Sequence, residues 1–95
     1  MSLEELVSKY IASAEHALGE LKVLEAPTGF DVGDVKEVVE LAKAYLEDAK
    51  YYRDEKRFDV SLASVAYCEG LLDALKMLGA ARFEWPAKGK MKSGK

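Results

Sequence analysis

Residues 59–79 read DVSLASVAYCEGLLDALKMLG, a stretch with a helix start signal at Asp59, a stop signal at Gly79 and few polar side chains between them. Wound at about 100° per residue, Ser61, Glu69, Asp73 and Lys76 gather on one narrow stripe. Leu62, Ala63, Ala66, Tyr67, Gly70, Leu71, Ala74, Leu75 and Leu78 fill the rest of the circumference. A helix apolar over most of its surface must be covered by other helices. The segment is therefore expected at the centre of an all-α fold, with Leu62, Ala66, Gly70, Leu71 and Ala74 innermost. Val65, Cys68 and Leu72 fall within or beside the polar stripe, so something is expected to cover them from outside.

Two further segments have the periodicity to supply the cover. Ser2 followed by Glu5 fits a capping box, and Leu3, Leu6, Val7, Tyr10, Ile11, Ala14, Ala17, Leu18, Leu21 and Leu24 then recur on one face, predicting a helix over 3–24. His16 falls on the opposite, wet face. Residues 26–34, APTGFDVGD, read as a connection in which either aspartate could cap the next helix and Phe30 could plug the end of a bundle. That second helix is expected over 34–55, burying Val35, Val38, Val39, Ala42, Tyr45, Leu46, Ala49 and Tyr52, with Asp48 at the stripe's edge. Only a short charged link separates it from the helix expected over 59–78, which makes the two antiparallel neighbours. The result is an up-down-up antiparallel three-helix bundle occupying 1–86, with no regular strand. Phe83 and Trp85 are the last large apolar groups of that domain. Residues 87–95, AKGKMKSGK, are expected to form a disordered basic tail.

Composition narrows the function. The 95 residues are 49% hydrophobic and 33% charged, a globular balance. Neither Asn nor Gln occurs, while Glu and Lys abound, as high working temperature tends to select; a thermophilic source is expected. The net charge of −3 conceals an asymmetry, since 86–95 holds four lysines and no acid, which leaves ten basic against seventeen acidic residues before it. An acidic body argues against a broad nucleic-acid footprint, and only the lysine tail could make a weak, salt-sensitive contact with nucleic acid. One cysteine, no basic-then-apolar leader after Met1, and no apolar run of membrane-spanning length point to the cytoplasm and away from the membrane.

The second and third helices carry a pattern, Tyr45-x-x-Asp48-Ala49-x-Tyr51-Tyr52, then Asp59, Tyr67-x-x-Gly70, Leu72-Asp73-Ala74 and Leu78-Gly79, that resembles a family of short archaeal proteins known as domain of unknown function 357. The similarity runs over about 38–83 and leaves the first helix and the tail outside it. The resemblance implies a small helical bundle in an archaeal cytoplasm. The family has no assigned activity, so no catalytic residue carries over; similar segments accompany nucleotidyltransferase-like domains, although this chain supplies none.

No residues form a recognisable catalytic constellation, and no enzyme, cofactor or metal is expected. His16 and Cys68 could be imagined as base and nucleophile, but no motif surrounds either and no basic neighbour would lower the thiol pKa. Glu69 and Asp73, one turn apart, lack a histidine and lie near Lys76, which fits a solvated stripe better than a metal site. GKMKSGK mimics a phosphate loop without its Ser or Thr or its preceding strand. The leading expectation is a non-enzymatic helical interaction module, self-associating or docking on a larger protein, through Val65, Cys68, Leu72, Phe83 and Trp85. The alternative is a small-ligand-binding or accessory domain of an enzyme, of the nucleotidyltransferase kind, using a seam of Tyr45, Asp48, Tyr52, Tyr67 and Asp73. For those residues the simpler reading is structural: part-buried phenols need partners, and boundary carboxylates provide them.

Overall fold

The computed structural model describes residues 1–25 and 29–86. The lysine tail over 87–95, with its phosphate-loop mimic, and part of the first connection lie outside the described residues. Three helices follow in order: α1 (Leu3–Glu20), α2 (Val32–Asp54) and α3 (Phe58–Met77). α1 opens with the expected capping box. The Glu5 N–H donates to Ser2 Oγ at 3.1 Å and the Ser2 N–H to Glu5 Oε1 at 2.9 Å; the Ser2 N–H first, and then the Ser2 hydroxyl, hold the Glu5 carboxyl below its ordinary pKa. α1 stops at Glu20, short of the expected 24, because Leu21 turns extended.

The chain then forms β1 (Lys22–Val23), which pairs antiparallel with β2 (Ala81–Arg82), Lys22 opposite Arg82 and Val23 opposite Ala81. This small ladder, extended by the Leu24 N–H bonding to Ala80 O at 3.0 Å, corrects the expectation of a body without strands. It ties the C-terminal ends of α1 and α3 together, so these two helices run parallel and α2 runs against both. Leu21 and Leu24 remain half-buried; their apolar side chains are accommodated in extended chain rather than in another helical turn.

α2 begins at Val32 because the Asp31 carboxylate accepts from the N–H groups of Gly33 (2.6 Å) and Asp34 (3.3 Å). It ends in a Schellman turn: Lys56 sits at φ 62°, its N–H bonds to Arg53 O at 2.9 Å, and the Arg57 N–H bonds to Tyr52 O at 2.8 Å. The end of α3 repeats this geometry with Gly79 at φ 75°, bonded to Lys76 O, and the Ala80 N–H bonded to Leu75 O at 2.9 Å. Asp59 is not the N-cap of α3. That position belongs to Arg57, without a side-chain bond, and the Asp59 carboxylate accepts from the Val60 N–H within the first turn.

The larger core cluster joins Val7, Ile11 and Ala14 of α1, Ala42 and Leu46 of α2, Val65, Cys68 and Leu72 of α3, and Phe83. A second cluster at the β end brings Val35 and Val39 against Leu75, Ala80 and Ala81. The widest helix contact is α2 with α3, and α1 leans more on α3 than on α2. The inward faces of α1 and α2 are those the periodicity predicts. That of α3 is not: Ser61, Val65, Cys68, Leu72 and Leu75 are buried, while Ala66, Gly70 and Ala74 are exposed and Leu62 and Leu71 only half-buried. On a 100° wheel this is roughly half a revolution from the expected orientation. The stripe that looked polar splits. Ser61 goes inside, where its hydroxyl is bonded, and the side bearing Asp73 and Lys76 is met by the segment returning from β2.

Candidate functional site

The five residues expected to form an interaction surface are gathered, but mostly not on a surface. Val65, Cys68 and Leu72 are fully buried and Phe83 nearly so. Trp85 is half-buried, edge-on to Phe83 with ring centroids 5.1 Å apart. The Phe83–Trp85 segment folds back against the core beside these side chains, and its hold is specific: Trp85 Nε1 donates to Asp73 Oδ1 at 2.9 Å, and Lys76 Nζ lies 5.1 Å from the Phe83 ring centroid. What the sequence offers as an uncovered patch is thus interior to the fold.

The tyrosine and aspartate seam is divided among four places. Tyr45 and Tyr67 stack nearly parallel, 4.3 Å between centroids and 9° between planes. Tyr52 meets Tyr51 edge-on and lies under the Arg57 guanidinium, 5.2 Å from its ring centroid. Asp73 takes its hydrogen bond from an indole rather than from a phenol across the helix interface. Asp48 is exposed on α2. The structure therefore brings two of the five together by ring contact and leaves the others apart from that stack.

Burial, with a smaller contribution from the Glu69 charge, pushes the Cys68 thiol up to about 11, so at neutral pH it is an inert core group. His16 is exposed on α1, with Nε2 3.1 Å from Glu20 Oε2. Among the described residues no group of three His, Cys, Asp or Glu side chains is placed to hold a metal ion, and no helix is long and apolar enough to cross a membrane. An open cleft of about 460 Å³ lies between the end of α1 and β2, lined by Gly19, Glu20, Lys22, Arg82, Phe83 and Glu84. It places two cations against two carboxylates, and the Glu20 carboxylate already accepts from the Glu84 N–H at 3.3 Å.

Sequence reasoning assigned to the interior a side of α3, around Ala66, Gly70 and Ala74, that together with the adjoining edge of α2 forms an outer face. The Tyr45–Tyr67 stack identifies the edge of α2 that abuts α3, and the ion pair of Lys50 with Glu15 identifies the opposite edge, toward α1. Leu41 and Asp48 follow Tyr45 around α2; Ala74, Ala63, Gly70, Ala66 and Met77 follow Tyr67 around α3. All of these are exposed, Leu41 at 44%, Tyr67 at 52% and Met77 at 85%. A Cβ placed on Gly70 would meet nothing within 4 Å. At the β end the face runs into an apolar recess of about 170 Å³ whose walls include Phe30, Val38, Leu75 and Leu78; Phe30, expected to plug the bundle, is 46% exposed beside it.

No curated protein sequence and no solved structure matches the chain. The family described as "Protein of unknown function (DUF357)" matches over residues 9–81. The match begins within α1, so the first helix, which the resemblance over 38–83 leaves aside, is part of the shared pattern. Covering most of the chain from α1 through β2, it establishes that this three-helix protein belongs to the DUF357 family.

Proposed function

We propose that the protein is a non-enzymatic helical interaction module whose working surface is the outer α2–α3 face. The observation that carries this reading is the exposed run of Ala66, Gly70, Ala74 and Met77 beside the Tyr45–Tyr67 stack. A contiguous apolar face on a globular domain marks a contact site more often than it marks idle surface, and small side chains let a second helix approach closely. The high thiol pKa of Cys68 and the dispersal of the tyrosine seam support a binding role over a chemical one. A residue usage without Asn or Gln and rich in Glu and Lys fits a thermophilic setting for it.

Affinity capture from source-cell lysate, comparing the full chain with its Ala66→Lys, Ala74→Lys variant, tests the reading. A protein retained by the parent and lost by a variant of equal melting temperature is the expected result. Equal recovery on both, or a chain that recovers nothing and stays monomeric by light scattering, overturns it.

A further inference from the structure

We infer that the outer α2–α3 face docks a basic amphipathic helix of a partner protein, because that face combines uncovered apolar residues with carboxylates and excludes the helices' own lysines. This rests on the interaction reading above and names the chemistry of the partner.

The charges on α2 are sorted by side. Lys36, Lys43 and Lys50 recur every seventh residue on the edge toward α1. There Lys43 meets Glu40 at 3.2 Å, and Lys50 meets Glu47 at 3.4 Å as well as Glu15 of α1. The opposite edge carries Asp34, Glu37 and Asp48, all exposed. On α3 the only cation is Lys76, engaged with the Phe83 ring and 3.9 Å from Glu84 on the far side, whereas Asp59 points the outer way. The nearest cations are Lys56 and Arg57 in the turn at one end, and Arg57 lies over Tyr52. Between that turn and the β end, the described face is apolar and acidic.

A second copy is a poor occupant for such a surface. A two-fold contact sets the same patch against itself, so the carboxylates of both copies would be brought together at a cost in affinity. A helix with apolar residues at i, i+3 or i+4, and i+7 fits the groove geometry. Lys or Arg flanking that stripe would meet Glu37, Asp48 and Asp59, and a cation could also settle on the exposed Tyr67 ring.

The test uses the full chain and two synthetic helical peptides with the same leucine stripe, one with lysine and one with glutamate at the remaining positions, read by fluorescence anisotropy. The lysine peptide should bind, with affinity falling as salt rises, and the glutamate peptide should not. Glu37→Lys with Asp48→Lys should weaken the lysine peptide by about tenfold or more. Glu4→Lys with Glu40→Lys, which changes net charge equally but away from the face, should leave it nearly unchanged. Equal losses in both charge-reversed variants, or binding of the glutamate peptide, overturn the inference. A dimer abolished by Ala66→Lys, Ala74→Lys also overturns it while leaving the interaction reading standing. Failure of both peptides in a chain that stays monomeric sinks both.

Discussion

The Ser61 hydroxyl, fully buried where α3 crosses α2, donates to the main-chain carbonyl of Ala49 across 2.6 Å. This bond makes a serine acceptable inside the core and keys one helix to the other, since a buried hydroxyl without a partner would be costly. Ser61→Ala should lower stability by about 1 kcal/mol, seen as a fall in melting temperature of about 4–8 °C for a domain of this size. Ser61→Val, which also adds volume at a fully buried position, should cost more. Denaturant titration of both variants checks this, and an unchanged midpoint for the alanine variant would show that the bond has no net value.

The two Schellman turns differ at one residue. Lys56 and Gly79 occupy equivalent left-handed positions, at φ 62° and φ 75°. A side chain there costs about 1–2 kcal/mol in backbone strain, partly offset by the greater unfolded entropy of glycine. Lys56→Gly should therefore stabilise by about 0.5–1 kcal/mol. Gly79→Ala should destabilise by about 1 kcal/mol, through the backbone alone, because a Cβ at Gly79 meets nothing within 4 Å. Opposite signs in a single denaturation series are the expected result.

Trp85 is the only tryptophan, which makes its bond to Asp73 directly observable. Asp73→Ala removes the acceptor and should loosen the segment after β2, moving the indole emission to the red and raising its quenching by acrylamide. The stability loss should stay below about 1.5 kcal/mol, since the carboxylate is exposed and solvent replaces part of the bond. An unshifted spectrum would mean that the packing of Phe83 and the Glu84 N–H bond to Glu20 hold the segment without help from Asp73.

Cys68 should impose a pH dependence on stability. Its thiol pKa is raised from the ordinary 9.0 to about 11 in the fold, so on raising the pH the unfolded chain loses this proton first. The contribution is fully present below pH 9 and is lost as pH rises from about 9 to 11. Cys68→Ala, although less stable for want of volume, should lack this part of the alkaline slope. Parallel slopes for parent and variant would contradict the burial effect. Maleimide labelling of the native parent should be slow at neutral pH and become rapid on unfolding.

The number and order of the helices, the capping box at Ser2 and Glu5, the turn at Gly79 and the inward faces of α1 and α2 were all readable in the chain. Each is a local signal, and the periodic contrast on those two helices is strong: Val7, Ile11, Ala14 and Ala17 line one side of α1, as Val35, Val39, Ala42, Leu46 and Ala49 line one side of α2. The facing of α3 was not readable. Apolar residues nearly encircle it, so rotating it by half a turn changes little in its own pattern, and the choice passes to its neighbours. Tertiary contacts decided it. Ser61 found a carbonyl on α2, and Val65, Cys68 and Leu72 came under α1 and Phe83, which frees Ala66, Gly70 and Ala74 to face outward. Likewise the pairing of Lys22–Val23 with Ala81–Arg82 joins residues far apart in sequence that carry no strand signal of their own. Short-range pattern determines which segments become helices, but the end of α1 is set by the ladder that takes up Lys22 and Val23, and an all-round apolar helix takes its orientation from whatever packs on it.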